Sequence, residues 1–517
     1  MKRHMALKTY AAIEVGSKEL VLKVYEIGKK IGIRQLDHVR YMLDIGSSAY
    51  SEGTIGYEQV NELCEVLKKF KLKLEEYQVD DYVAYGGSAL KEADNGSLVL
   101  DQIKVRTGLR VRQIGNAQQR FLVFKSIAFK MQNFEQLIKE GAVIIDLGSG
   151  SLQVSVFEDG ALQFSQNIRI GALRIREMLS SLEGQTSDFT SVIMEFVDNN
   201  VQAFRGADLK AMKIKHAIVV GEEFSAIMNY LNKDGVHANL SLEQFNRIYD
   251  KLLGQSTESI AEKLGLPYEL ASVLVPAVIV YRKILDRTTA KNIWEATSDL
   301  CDGMALDYSQ KVERYLLAHD FSKDIIKNVR NIAKRYASDE NHVKCVESMA
   351  KSLFDGTKKI SGLNSRYRLL LQVAAILHDS GKYINSDNSN YNASHIIRES
   401  ELIGLSDVEK EIVASIVLYN SSAYVPDYED MSRQIDREQY IAMLKLTSLF
   451  SLANAMDRSH KQKIKKIRVV INETEMRIIA DTIYDITLEQ GMVESKARFF
   501  EEIFGIRPVL RQKRNLL

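Results

Sequence analysis

Cysteine, proline and long apolar runs are all scarce in this chain of 517 residues, and each shortage narrows the reading. Cys64, Cys301 and Cys345 are the only cysteines. They are scattered, so neither a disulfide framework nor paired thiolate metal spacing is expected, and a reducing cytoplasm is the expected compartment. Four prolines and no Ser/Pro tract leave no obvious disordered linker. A net charge of +1 gives no global argument for specific nucleic acid or an anionic membrane as partner. No uninterrupted run reaches the ~18 apolar residues that cross a bilayer. The segment 1–8 is basic, but the apolar stretch behind it is broken by Glu14 and Lys18, which argues against a signal peptide. The composition, 45% hydrophobic and 26% charged, is ordinary for a soluble globular protein. The length has room for about three to four domains.

What is present is a repeat. Residues 13–28, Ile-Glu-Val-Gly-Ser-Lys-Glu-Leu-Val-Leu-Lys-Val-Tyr-Glu-Ile-Gly, align without a gap to 145–160, Ile-Asp-Leu-Gly-Ser-Gly-Ser-Leu-Gln-Val-Ser-Val-Phe-Glu-Asp-Gly. Each copy reads as an apolar strand ending in a carboxylate (Glu14, Asp146), a Gly-Ser turn, and a second alternating strand. Such a turn lets backbone N–H groups converge on an anion, because glycine permits close approach and unusual dihedrals. The carboxylate beside each turn is placed to hold a metal or a water. Two such loops in one chain suggest two related half-domains clamping a phosphate.

Around the repeat, strands are expected at 11–15, 20–27 and 38–43, a helix at 57–71, a strand at 80–85, a strand at 111–114 and a helix at 118–131. The second region opens with the hairpin 143–157 and adds strands at 164–170 and 216–220. From about 306 the periodicity is helical only, with helices at 307–317, 325–337, 342–354 and 366–377. After 464 it turns mixed again, with strands at 467–471 and 477–480, a helix at 494–504 and then a short apolar segment at 509–511.

The ordered landmarks Glu14-Val15-Gly16-Ser17, Gly87-Ser88-Ala89-Leu90-Lys91, Asp146-Leu147-Gly148-Ser149-Gly150-Ser151, Gly171-Ala172-Leu173-Arg174, Asp302-Gly303, His378-Asp379 and Asp457-Arg458-Ser459-His460 carry a resemblance. Over essentially its whole length the chain resembles the Ppx/GppA family, the exopolyphosphatases and guanosine pentaphosphate phosphohydrolases. The resemblance implies an α/β fold: two actin-like, RNase H-type domains at 1–135 and 136–305 forming a phosphate-binding cleft, an all-α HD-like domain at 306–462 and a small C-terminal α/β domain at 463–517. It implies Mg2+ as cofactor, polyphosphate or guanosine pentaphosphate as ligand, and a homodimer as a compatible assembly.

In-line attack of water on a terminal phosphoryl group needs a cradle for the oxygens, charge neutralisation and a group that positions the water. Gly148, Ser149, Gly150 and Ser151 are the expected cradle, faced by Gly16 and Ser17. Lys91 stands where the family carries an arginine, offering a point charge without the bidentate fork. Asp146, with Glu14, is the expected metal or water-orienting carboxylate. Several acids are replaced. The family's Gly-x-Glu-Glu-Ala-Arg motif is Gly115-Asn116-Ala117-Gln118-Gln119-Arg120 here, which puts Gln118 at the base position. Gln153 replaces the Glu after the second loop, and Glu14 replaces an Asp. Lys18-Glu19 replaces small polar residues, and Glu222-Glu223 follows Gly221, where two carboxylates would repel a polyanion. Glutamine can orient a water without taking its proton, and loss of a base removes ~10²–10⁴-fold. Weakened hydrolysis is the expectation.

HD phosphohydrolases hold a metal with His, His-Asp and a distant Asp. His342 and His378-Asp379 fit the first three positions, but Asn454 stands at the fourth. Asn390, Asn392 and Asn420 occupy the region of a later histidine cluster, with His395 alone nearby. A structural, metal-free domain is expected.

Each feature also has a plainer reading. Gly16 and Gly148 could be ordinary hairpin turns, Lys91 a solvated helix residue, Asp146 a turn cap, Gln118 a surface residue, and His342 and His378 core histidines. The basic runs 461–466 and 511–514 read as solvated edges or as a groove for a long polyanion. Two function classes remain: a phosphoanhydride hydrolase, and a binding or regulatory protein that keeps the clamp without efficient hydrolysis.

Overall fold

The computed structural model describes residues 7–29, 31–202, 209–231, 239–312, 317, 319–420 and 425–513; Arg514 of the second basic run lies outside them. The chain divides into two compact units, Met1–Asp320 and Phe321–Leu517.

The first unit is built on two sheets of the same design. In the first, β1 (Lys8–Val15), β2 (Glu19–Gly28), β3 (Gly32–Met42), β4 (Asp81–Gly86) and β5 (Val111–Gln113) lie in the order β3-β2-β1-β4-β5. β1, β2 and β3 run antiparallel, while β4 and β5 join parallel to β1. The second sheet comprises β6 (Ala142–Leu147), β7 (Leu152–Glu158), β8 (Ala161–Ile168), β9 (His216–Val220), β10 (Asn239–Ser241) and β11 (Asn292–Glu295), in the order β10-β11-β9-β6-β7-β8. The sequence repeat becomes one register in both hairpins: Glu14 pairs with Val21 as Asp146 pairs with Gln153, and Val15 with Leu20 as Leu147 with Leu152. β6 is buried throughout. That follows from its position between β7 and β9, where a run of Val and Ile is covered on both faces.

β3 begins well before the expected 38–43, and its leading residues, with apolar Ile33 and Leu36 set among Arg34, Gln35 and Asp37, are half-buried or exposed and do not alternate. Apolar alternation therefore gives no signal there; pairing with β2 makes the strand. Among the described residues no single helix is long and apolar enough to cross a membrane. The most apolar one, Tyr268–Leu285, is spent on the core of the second sheet.

Domain assignment from sequence ends the second α/β region at 305. The structure instead returns the helix Leu300–Val312 to the first sheet, where Leu300, Cys301, Met304 and Ala305 pack with Tyr10, Ala12, Val21 and Leu122. Gly303 permits this packing, because a Cβ there would lie 2.2 Å from the Leu122 carbonyl oxygen. Asp302 fixes it: the carboxylate accepts from the Tyr25 hydroxyl at 2.9 Å and pairs with Lys23 and Lys130 at 3.1 and 2.5 Å. The Asp302-Gly303 landmark is thus a helix-docking device.

The second unit starts at Phe321, later than the expected 306. Its helices are Phe321–Arg335, Glu340–Ser361, Ser365–Leu377, Ser389–Glu399, Asp407–Tyr419 and Arg437–Ala455. Their starts follow from N-cap side chains: Asp339, Asn364, Ser406 and Asp436 each accept from backbone N–H groups of the first turn. The last strands, β12 (Lys466–Ile471), β13 (Glu475–Asp481) and β14 (Arg507–Gln512), form a three-stranded sheet in that order, with helix Thr487–Phe504 between β13 and β14.

Candidate active site between the two hairpins

Each hairpin closes its turn identically. The Gly16 N–H donates to the Glu19 carbonyl and the Gly148 N–H to the Ser151 carbonyl, both at 2.9 Å. Those two N–H groups are consumed, so a bound anion must be met by the residues between them. Gly16, Ser17, Gly148, Ser149, Gly150 and Ser151 all line one cavity of ≈ 170 Å³ together with Glu14, Lys18, Glu19, Ser88, Asn116, Gln119, Arg120, Glu222 and Glu223. The two expected loops therefore meet in one cleft.

Contacts at its floor were not legible in the sequence. The Tyr50 hydroxyl lies 2.7 Å from both Ser17 Oγ and Ser88 Oγ. A Cβ on residue 150 would lie 2.3 Å from that same hydroxyl, so glycine is required where the second loop crosses it. The Arg174 guanidinium stacks 4.1 Å from the Tyr50 ring centroid, donates to the Gly150 carbonyl at 2.8 Å and grips both oxygens of Glu92. Arg174 ends the Gly-Ala-Leu-Arg landmark, which was its only sequence signal.

Arg120 is the buried cation of the site. Its Nη1 lies 2.5 Å from Asp146 Oδ2, its Nη2 donates to Ser151 Oγ at 3.0 Å, and both charged side chains are nearly inaccessible. The arginine comes from helix Asn116–Lys130, whose face at Asn116, Gln119 and Arg120 borders the cavity. These are i, i+3 and i+4 positions, which share a side of a helix.

Three sequence expectations are displaced by this geometry. Gln118 is not among the cavity-lining residues: it points to the Tyr85 hydroxyl at 3.5 Å, and its neighbour Gln119 takes the place at the cleft. Lys91 is exposed and also absent from the lining; on its short helix it faces solvent. Gln153 is buried behind the cleft, donating to Ser165 Oγ at 2.6 Å. The glutamate pair after Gly221 does not simply repel. Lys18 meets Glu223 at 3.2 Å and Arg40 meets Glu222 at 2.7 Å, so cations of the first sheet's side pair with carboxylates of the helix that follows β9, while Arg40 also pairs at 2.5 Å with Glu19 of its own sheet.

Glu14 has its carboxyl pushed up to about 8, first by burial and then by the neighbouring Asp299 and Glu19 charges, with Arg120 and Lys23 opposing. The donors around it, Glu14, Glu19, Asp146, Glu222 and Glu223, are all carboxylate oxygens, the hard ligands that suit Mg2+. Among the described residues these carboxylates do not gather three ligand atoms within 4.8 Å of one another, and Asp146, Glu222 and Glu223 are paired with Arg120, Arg40 and Lys18, so the acids offer the ligand chemistry of that ion without a ready-made cluster.

Comparison with known proteins agrees with this architecture. The Ppx/GppA phosphatase family matches residues 24–310, and Ppx/GppA phosphatase domain III matches residues 326–498. Among solved structures, the Aquifex aeolicus member of the Ppx/GppA family superposes with a TM-score of 0.50 at 18% identity, covering 60% of this chain and 100% of that one. An exopolyphosphatase from Cytophaga hutchinsonii gives 0.52 at 19% identity, covering 59% and 99%. An exopolyphosphatase-like protein gives 0.53 at 20%, again covering 59% and 99%. These similarities support the two-domain actin-like fold of the first unit. With more than half its length matched in order by the family, the chain belongs to the Ppx/GppA phosphatases.

Proposed function

We propose that the cleft binds the terminal phosphoryl group of a phosphoanhydride chain, inorganic polyphosphate or guanosine pentaphosphate, and hydrolyses it slowly with Mg2+. The observation that carries this reading is the pair of identical Gly turns opening on one cavity with Ser17, Ser151 and Arg120 along it. Loop N–H groups and the Ser17 and Ser151 hydroxyls would receive the non-bridging oxygens. Arg120 sits at hydrogen-bond distance from Ser151 and supplies positive charge where charge builds on the phosphoryl oxygens. Glu14 and Asp146 would hold the cation, which when bound neutralises phosphate charge. Gln119 lines the cleft and can orient a water; a glutamine cannot take its proton. Glu14 retains a proton near neutrality, so it becomes the available acceptor only as pH rises.

A second reading has its own support. The helix presents glutamine at the cleft, and the opening is spanned by the Lys18–Glu223 and Arg40–Glu222 pairs. Both features favour a protein that binds the phosphate chain without turning it over efficiently. Phosphate release from polyphosphate and from guanosine pentaphosphate, measured side by side with Mg2+ at pH 7 and pH 9, separates the two. Release that rises with pH and disappears in Arg120→Met supports hydrolysis. Saturable binding of either compound without release supports the second reading, and no binding of either defeats both.

A further inference from the structure

The floor of the cleft joins three hydroxyls whose hydrogens can be counted. Tyr50 belongs to the short helix Gly46–Ser51, and that helix is tied to the first loop: the Ile45 and Gly46 N–H groups both donate to the Ser17 carbonyl, at 3.0 and 2.7 Å. The Tyr50 hydroxyl lies 2.7 Å from the Ser17 hydroxyl and 2.7 Å from that of Ser88, while the two serines stand 3.4 Å apart. Ser17 and Ser88 line the cavity and Tyr50 does not. Arg174 holds the ring, stacking on it at 4.1 Å and pairing with Glu92 at the end of the helix that starts at Ser88. Burial pushes the phenol up, so it keeps its hydrogen through the neutral range. Each hydroxyl carries one hydrogen, and the two short contacts use two of the three. If both serines donated to Tyr50, the hydrogen left over would be the phenol's, away from the cavity. If one serine donates to Tyr50 and Tyr50 donates to the other, the free hydrogen stands on a serine that borders the cavity.

We propose that Tyr50 is a positioning residue for the phosphate cradle, setting the hydroxyl rotors of Ser17 and Ser88 so that one of them presents its hydrogen to a phosphoryl oxygen. This rests on the reading of the cleft as a phosphoanhydride site and names what makes its first loop a donor. A free serine rotor accepts as readily as it donates, and a lone pair turned toward an anion repels it. Directed by the phenol, the hydroxyl chain runs one way, and its members polarise one another. Gly150 closes over the same group, because a Cβ there would clash with the Tyr50 and Ser88 hydroxyls alike. The second loop, which supplies the rest of the cradle, is therefore seated on the tyrosine that orients the first.

The test uses the full-length chain with Mg2+ and titrates inorganic phosphate by calorimetry. Tyr50→Phe keeps the ring beneath Arg174 and removes only the hydroxyl. It should weaken phosphate binding about tenfold, the upper part of what one hydrogen bond contributes. Ser88→Ala should cost about as much, and the double variant little more than either alone, because both changes break one chain. A tyrosine that only supports the fold would give losses that add. The same shortfall from additivity between Ser17→Ala and Ser88→Ala reads the chain with the tyrosine in place, should Tyr50→Phe fail to fold. Wild-type protein that binds no phosphate would defeat the reading of the cleft and this inference together. Binding that Tyr50→Phe leaves unchanged, or losses that add in full, would overturn the role of Tyr50 alone.

Discussion

Arg120 and Asp146 meet at 2.5 Å with both side chains closed to solvent, joining the helix that carries the glutamines to the strand that carries the second loop. A carboxylate expected to edge a turn is therefore also half of a buried ion pair. Removing one partner of such a pair leaves the other charge buried and unmatched, at about 3–5 kcal/mol. Asp146→Ala should lower stability by that amount as well as stop phosphate release. Chemical denaturation is the check: an unfolding free energy within about 1 kcal/mol of wild type would mean that Arg120 finds water or another partner.

Lys18 and Glu223 pair across the cleft. An incoming phosphate chain has to compete with the Glu223 carboxylate for Lys18. Glu223→Gln should tighten inorganic phosphate binding about tenfold, the factor that about 1.4 kcal/mol provides, and the gain should shrink with added salt. Calorimetry at two salt concentrations reads this directly. Weaker binding in the variant would show that Glu223 serves the ligand, for instance through a cation.

Glutamine to glutamate substitutions distinguish the two faces of one helix. Gln119→Glu places a carboxylate at the cleft and should raise phosphate release by up to about 10²-fold, the lower range for a general base. Gln118→Glu, beside Tyr85, should leave the rate within about twofold. Gln153→Glu should destabilise the protein, because a buried charge next to Asp146 in the strand register would lack a cation of its own. The reverse ranking of Gln118→Glu and Gln119→Glu would move the reacting water to the Tyr85 side.

Glu14 gives a pH signature. Its carboxyl sits at about 8 in the folded chain against an ordinary 4.5. Between those values the folded state holds a proton that the unfolded state has lost. The unfolded state then binds fewer protons, so this group's contribution to stability falls as pH rises from about 4.5 to 8 and is constant outside that window. Glu14→Gln should flatten that slope. Urea midpoints at pH 5 and pH 8 that shift equally in wild type and variant would remove Glu14 as its source.

The sequence alone determined the paired hairpins, their carboxylates, their Gly-Ser turns and the family, because a hairpin is a local object. Its register follows from alternation and a short turn, and the same pattern occurring twice marks itself. What the tertiary structure decided lies between residues far apart in the chain. Arg120 reaches Asp146, Tyr50 supports Ser17 and Ser88, Lys18 crosses to Glu223, and helix Leu300–Val312 returns to β1. The choice between Gln118 and Gln119 was also beyond the sequence. Adjacent helical residues differ by about 100° in direction, and only the packing of Asn116–Lys130 on its neighbours fixes which of them faces the cleft.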